Sequence, residues 1–419
     1  MRFIHAADLH IDSPLRGLDR YDGAPVERLR TATRSAFERL IDRAISERVD
    51  FLLLAGDLYD GDWQDFHTGL FFRGQMVRLE REGIQAFIVQ GNHDAQGVIS
   101  KQLILPSNVT VFSSRTAQTV RIEELSVAIH GRSFPERAVD EDLVPAYPPP
   151  VPGFFNIGLL HTSLTGRAGH DTYAPTDLPT LIAKGYDYWA LGHVHAREVL
   201  HEKPRILFPG NLQGRHAKET GPKGCELVMI EAGRIDSEFV ALDVVRWNQV
   251  TVSLDGIHRL EALGEAFRHA VEPVLIGARD RLHAVRVTLE GSTELHRLEA
   301  SQPGTLAAAM YGAAQDIGEA EVWIEQVRLD LSAPLDRAQT LQRHDAVGEL
   351  VRLVDSIIGD ESELLRWAQT ELGDLLGSLP QEVAAGDVPK LDDQVELKSL
   401  MMDAEATVLA RLTDPGAEA

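Results

Sequence analysis

Eight polar residues in the first half of the chain stand at five places, each just past an apolar run. Asp8 and His10 follow "MRFIHAA", and Asp57 follows "DFLLLAG". Asn92 and His93 lie in "QGNHD", His161 ends "FFNIGLLH", and His193 and His195 close "YDYWALGHVH". Carboxylates, imidazoles and a neutral amide suit Mn²⁺, Fe²⁺ or Zn²⁺ better than Ca²⁺, which prefers all-oxygen shells. Asp8 and His10 are two apart, as are His193 and His195; in extended backbone such residues point the same way. Each pair can therefore offer two ligands to one point. Asn92 and His93 are adjacent and point apart, so they should have different jobs. Seven ligands are too many for one tetrahedral zinc. They suit two ions about 3.5–4 Å apart with one bridging carboxylate, a pair that can clamp a phosphate and activate water for in-line attack.

Each piece alone has a plainer reading. Gly-Asn and His-Asp are good turn formers, Asp57 can cap a helix, and His161 can be a core or loop histidine. Five such elements, all at strand ends, point instead to one site. In an open α/β sheet the carboxyl ends of the strands share an edge, and ligands bind there.

The elements that must position these residues alternate in type. "MRFIHAAD", "DFLLLAGD" and "IQAFIVQGNHD" read as strands; Leu29, Ala32, Ala36, Leu40 and Ala44 mark a helix over 25–49, and a second helix closes near 76–82. That rhythm predicts a parallel sheet with helices on its faces. Short strands follow near 109–112, 120–122 and 126–129, then "YPPPVPG" as a stiff connector, then "FFNIGLLH", "YDYWALGHVH" and "PRILFPGNL". "CELVMIEAGRIDSEFVALDVV" predicts a hairpin turning at Ala232-Gly233. Beyond Arg246 the strands "NQVTVSL", "LHAVRVTL" and "AEVWIEQVRLDL" alternate with helices over 260–271 and 306–317, a small α/β domain, and 332–340 reads as a linker. Three amphipathic helices follow. They are marked by Val347, Leu350, Val351, Val354 and Ile357; by Leu364, Trp367, Ala368, Leu372 and Leu375; and by Leu397, Leu400, Met401, Ala404 and Val408.

With 419 residues, two or three domains are expected. A net charge of −23 argues against a protein that coats nucleic acid through its overall field. From Leu341 onward there are 17 acidic and 6 basic residues, so the tail is more acidic than the body and reads as a solvated helical face or a protein-binding segment. The single cysteine, Cys225, leaves no intramolecular disulfide and fits a reducing cytoplasm. Neither a secretory leader nor a membrane span is expected from the apolar runs.

In this order "DLH", "GD", "GNHD", "LLH" and "GHVH" resemble the signature of the calcineurin-like metallophosphoesterases. "HAADLHID" at the N-terminus and the "GNHD" form are similar to the DNA-repair exonucleases of the SbcD type, and "DLHIDSPLRG" and "FPGNLQGRHAKETGPKG" to their YhaO branch. The motifs cover roughly residues 1 to 245. The resemblance implies an α/β metallophosphoesterase sandwich over 1–245, a small α/β capping and DNA-positioning domain over 246–335, and an acidic helical region over 341–419. It implies two divalent ions, most often Mn²⁺. Asp8, His10 and His195 would hold the first, Asn92, His161 and His193 the second, and Asp57 would bridge them. His93 would serve as the general acid, or stabilise the transition state, and Asp94 would orient His93; a carboxylate at Asp94 equally fits a helix start. The chain departs from the nuclease pattern at Asp12, where a glycine is usual, which bears on the phosphate-side loop. His5 would lie behind the ligands or be a packed strand histidine.

Arg215, His216 and Lys218 could touch phosphates, or form an exposed basic turn. With Arg132, Arg137, Arg167, Arg197 and Lys223 they could supply the basic track that DNA requires. The resemblance further implies DNA as substrate, a coiled-coil ATPase partner gripped by the C-terminal helices, and a homodimer. The rival on the same scaffold is a phosphodiesterase or phosphatase acting on small-molecule or protein phosphoesters. A non-catalytic scaffold is the rival from another class, and the complete ligand set counts against it.

Overall fold

The computed structural model describes residues 1–13, 25–60, 66–95, 103–165, 173–318, 321–332, 340–377, 391 and 393–413. Arg167, residues 333–339 of the expected linker and the Leu375 side chain lie outside them. The chain divides into two compact units, Met1–Asn248 with Ala278–Ala284, and Gln249–Gly277 with Val285–Ala419.

The first unit begins with β1 (Arg2–Ala6), α1 (Val26–Arg30), α2 (Ala32–Ser46), β2 (Phe51–Ala55), α3 (Phe66–Arg81), β3 (Gln85–Val89) and β4 (Val109–Val111). The single helix expected over 25–49 is interrupted at Thr31, whose hydroxyl donates back to the Glu27 carbonyl at 2.9 Å and so competes with the helical ladder. β5 (Gln118–Ile122), β6 (Val127–Gly131), β7 (Phe155–His161), α4 (Leu178–Ala183), β8 (Tyr188–Gly192), β9 (Glu198–Glu202) and β10 (Arg205–Phe208) follow, then the hairpin β11 (Gly224–Glu231) and β12 (Arg234–Ala241). The hairpin turns at Ala232-Gly233, with Glu231 paired to Arg234. α4, which periodicity passes over, begins at Asp177, whose carboxylate accepts the Thr180 N–H at 2.7 Å, with proline just inside.

In place of one parallel sheet, these strands build two six-stranded mixed sheets, ordered β12-β11-β1-β2-β3-β4 and β5-β6-β7-β8-β10-β9. β1 to β4 run parallel, as do β6, β7, β8 and β10, while β11 is antiparallel to β1 and the edge strands β12, β5 and β9 are antiparallel to their neighbours. Helices cover only one face of the first sheet because the sheets cover each other. Phe3, Phe51, Leu53 and Phe87 pack on Ile129, Ile157, Leu159 and Tyr188 of the second sheet. Their neighbours Ile4, Leu52, Leu54 and Ile88 pack on Phe37, Leu40, Phe72 and Met76 of α2 and α3. With both faces covered, "FLLLA" is apolar at every position. The parallel strands β1, β2, β3, β7 and β8 thus bring their carboxyl ends, and the residues after them, to one edge.

The second unit holds most of β13 (Val245–Ser253), then α5 (Leu263–Leu275), β14 (Leu282–Ser292), α6 (Leu295–Ser301), α7 (Thr305–Ile317) and β15 (Val322–Ser332). Its sheet is ordered β13-β14-β15. Val252, Phe267, Val271, Val287, Met310 and Ile324 form its core. α8 (Ala346–Gly359), α9 (Glu361–Gly377) and α10 (Gln394–Thr413) follow. They join around Val354, Leu364, Ala368, Leu397 and Met401, and α10 also packs on α6. The expected face of α10 is shifted: Leu397, Met401, Glu405 and Leu409 are buried, while Val408 is 43% exposed. That row runs in four-residue steps and includes a carboxylate, which a tally of apolar residues misses. Among the described residues no helix is long and apolar enough to cross a membrane.

Candidate metal centre

Except for His161, which ends β7, the strands stop before the polar residues begin. Asp8, His10 and Asp57 have φ of 51°, 42° and 50°, so each sits in the left-handed region and not in the extended backbone expected for Asp8 and His10. Backbone bonds hold these turns together: Asp8 N–H donates to Gly56 O, His10 N–H to Asp57 O and Ile11 N–H to Leu58 O, each at 3.0 Å. Two glycines make room. A Cβ on Gly56 would lie 2.3 Å from His161 Nδ1, and one on Gly91 would lie 2.3 Å from Asp57 Oδ1.

The turns gather the predicted donors into adjoining groups. Asp8, His10 and His195 form one, and Asp57, His161 and His193 another, with donor atoms within 4.8 Å of one another in each. His10 Nε2 lies 3.2 Å from His195 Nε2, and His193 Nδ1 lies 3.1 Å from His161 Nε2. The Asn92 amide oxygen is 3.0 Å from the same His161 nitrogen. Asp57 Oδ2 stands between the groups, 4.0 Å from His10 Nε2 and 3.5 Å from His161 Nε2. His193 and His195, two apart in sequence, therefore serve different groups.

The electrostatics test the fit of a cation. Asp8 is 1% exposed, and neither carboxylate oxygen has a hydrogen-bond partner. A buried charge persists only when paired or coordinated to a metal. Burial pushes the Asp8 carboxyl up to about 6 and the His10 imidazole down to about 4, the cost of holding these groups in a dry site without an ion. At Asp57 burial would raise the carboxyl, but His161, His10 and His93 outweigh it and hold it well below the carboxylate range. His161 responds in kind: burial would lower it, yet Asp57 and Asp8 bring it up to about 9. An unpartnered carboxylate, convergent imidazoles and an acceptor amide fit divalent transition ions.

His93 belongs to a third group of donors, with His10 and Asp60. Its Nδ1 lies 2.7 Å from Asp60 Oδ1, and that bond raises the imidazole above its usual range against the opposing effect of burial. The Asp94 carboxylate, expected to orient His93, accepts the backbone N–H groups of Leu58, Tyr59 and Gly91. It braces the turns, while Asp60 holds the ring. Asp60 was missed because it follows "GDLY" in a stretch without periodicity; its three-residue spacing from Asp57 was the available signal. Glu219 was missed too: its Oε1 is 2.7 Å from His195 Nδ1. A carboxylate behind a ligating histidine is a usual arrangement. Asp12 takes no part in the centre; Arg34 and Thr68 bind its carboxylate. His5 is a packed strand histidine, with Nδ1 3.1 Å from the Tyr188 hydroxyl and Nε2 3.0 Å from Leu191 O.

Much of the expected basic track is committed internally. Arg132 pairs with Glu141, Arg197 with Glu226, and Arg215 with Asp60 and Glu219. Lys223 donates to His195 O at 2.8 Å. His216, with 57% of its side chain exposed, and Lys218 remain at the surface.

Comparison with known proteins agrees with this geometry. Residues 1–197 match the family of calcineurin-like phosphoesterases, and residues 247–332 match the middle domain of metallophosphoesterase YhaO. The chain is 37% identical over 336 residues to the uncharacterized metallophosphoesterase YhaO of Bacillus subtilis, spanning 79% of this chain and 81% of that one. It is 26% identical over 231 residues to the DNA double-strand break repair protein Mre11 of Methanopyrus kandleri, covering 50% of this chain and 48%, about half, of that relative. A solved dimetal phosphatase from Danio rerio matches with 11% identity and a TM-score of 0.35, over 58% of this chain and 96% of that chain. By its kinship with YhaO and the match of its first unit, the chain belongs to the calcineurin-like metallophosphoesterases.

Proposed function

We propose that the chain is a metal-dependent DNA exonuclease, with endonuclease activity at the same centre, acting in cytoplasmic DNA repair beside a coiled-coil ATPase. The observation that carries the hydrolytic part is the unpartnered Asp8 carboxylate ringed by His10, His195 and the Asp57 group. Kinship with the double-strand break repair protein Mre11 supports DNA as the substrate. Asp8, His10 and His195 would hold one ion, Asn92, His161 and His193 the other, and Asp57 both. When bound, the two ions, Mn²⁺ foremost and Fe²⁺ or Zn²⁺ as substitutes, clamp the phosphate and activate the attacking water.

The remaining chemistry belongs to the chain. Asp60 takes the Nδ1 side of His93 and turns Nε2 toward the substrate. The raised imidazole holds its proton more firmly than a free histidine and donates it to the leaving oxygen as the P–O bond breaks. The acidic helices after Leu341 would dock the ATPase, and a second copy would complete a dimer. The internal pairing of Arg132, Arg197 and Lys223 favours a second reading, a phosphodiesterase or phosphatase for smaller esters.

The deciding assay uses purified protein, Mn²⁺ and end-labelled linear DNA, double- and single-stranded, with His93→Ala as control. A His93-dependent ladder of short products is expected. Brisk hydrolysis of a small diester with intact DNA, alone and with the ATPase added, would favour the second reading.

A further inference from the structure

The turn "PGNLQGRHAKE" delivers a cation that the hydrolytic chemistry above does not use. Arg215 Nη1 donates to Asp60 Oδ2 at 3.2 Å and to Ser13 Oγ at 3.4 Å. Its Nη2 lies 3.5 Å from Glu219 Oε1 and 3.3 Å from His195 Nδ1. The Arg215 backbone N–H donates to Glu219 Oε2 at 2.7 Å, and the Asn211 amide donates to the same oxygen at 2.9 Å. Each carboxylate also meets an imidazole: Asp60 Oδ1 lies 2.7 Å from His93 Nδ1 and 3.7 Å from His10 Nδ1, and Glu219 Oε1 lies 2.7 Å from His195 Nδ1. The result is one continuous chain, His195–Glu219–Arg215–Asp60–His93.

We infer that Arg215 is a positioning residue for phosphoester hydrolysis: its guanidinium ties the carboxylate that orients the metal-side His195 to the one that orients His93. Both rings then present Nε2 to the centre in one register. The inference rests on the assignment of His195 and His93 under the proposed function, and not on DNA being the substrate. Geometry separates it from a phosphate-binding role. Only 17% of the side chain is exposed, both terminal nitrogens are occupied, and Nε is buried without a partner. Among the described residues, the guanidinium's terminal nitrogens already face carboxylates, which leaves little of it for a substrate phosphate. The planar fork also explains the residue type, since a lysine is a point charge and cannot span two carboxylates in fixed directions.

The test compares Arg215→Met and Arg215→Lys with the wild type on two small phosphodiesters, one with a p-nitrophenyl and one with a methyl leaving group. A positioning role predicts that kcat falls about 10–100-fold on the methyl ester, less on the activated ester, with KM nearly unchanged on both. That pattern arises because the activated leaving group needs little help from His93. An equal rise in KM on both substrates, with kcat preserved, would mean that Arg215 grips phosphate and would overturn the inference. A second readout needs no turnover. In metal-free protein labelled with ¹⁵N-histidine, His93 and His195 should both carry the proton on Nδ1, and Arg215→Met should scramble both rings together. The affinity for a first Zn²⁺ ion should fall about 10–100-fold in the same variant. Unchanged tautomers in both rings would overturn the inference even if the protein hydrolysed nothing. Absence of all hydrolysis with the ring changes intact would sink the proposed function alone. Arg215→Lys, which keeps the buried charge, stands in should Arg215→Met not fold.

Discussion

Asp243 and Asp8 are both buried carboxylates of the first unit, 0% and 1% exposed. Asp243 accepts Arg246 through two nitrogens at 2.9 Å each, Arg281 Nη1 at 2.8 Å and the Lys223 N–H at 3.2 Å. Asp8 accepts nothing; its nearest ion-pair atom is His195 Nε2 at 4.0 Å. The first carboxylate is satisfied by the chain and serves the fold. The second is held out of water with its lone pairs unspent, so its surroundings make sense only with a cation that the chain does not supply. The contrast shows how to tell an architectural charge from a ligand: by what remains unsatisfied, since burial is the same.

The comparison breaks most visibly at Asp243. Asp243→Ala strands Arg246 and Arg281 and should destabilise the protein by about 3–5 kcal/mol, read by urea unfolding, with the Mn²⁺ affinity of the folded fraction unchanged. A loss of metal affinity with full stability would erase the distinction. Asp8 should behave in the opposite sense. In the wild type, Mn²⁺ at a hundred times its Kd should stabilise by about 2.7 kcal/mol. Asp8→Asn should abolish most of that gain while making the metal-free protein more stable above pH 6, since it removes a charge whose carboxyl is raised by burial. Calorimetry with and without Mn²⁺ measures both halves.

Gly91→Ala sharpens the same comparison from the backbone. The added methyl must displace Asp57 Oδ1, 2.3 Å away, at a cost of about 1–3 kcal/mol, and metal binding monitored by calorimetry should weaken with it. At neutral pH the smallest effect belongs to His5, a fully buried imidazole. Burial pushes its imidazole down to about 3, so below pH 6.5 the unfolded chain takes up a proton that the folded chain refuses. Its stabilising contribution is complete above pH 6.5 and is lost as pH falls, by up to about 1.4 kcal/mol per unit. His5→Gln should flatten that part of the stability–pH curve; an unchanged slope would assign the acid sensitivity elsewhere.

The candidate ligands were legible in the sequence because each stands just past a largely apolar run, and a run that ends on a polar group marks a sheet edge. The left-handed turns were not, because Asp and His give no glycine-like signal for positive φ. The sandwich of two sheets, which the resemblance implied, was not visible in the residue pattern itself: a strand buried between sheets and one buried between a sheet and a helix read alike. Asp60 and Glu219 escaped for a different reason. Each acts through a histidine far away in sequence, 33 residues on for Asp60 and 24 back for Glu219, and only the folded backbone brings them together.

The left-handed backbone at Asp8 and His10 also bears on the evolution of such proteins. At these angles glycine or asparagine is the easier residue, and at Asp8 the native charge is a burden without its ion. A lineage released from catalysis can therefore discard these candidate ligands and keep its fold. Descendants with intact sheets and a silent centre are the expected residue of that history, so kinship in shape does not by itself certify an active enzyme.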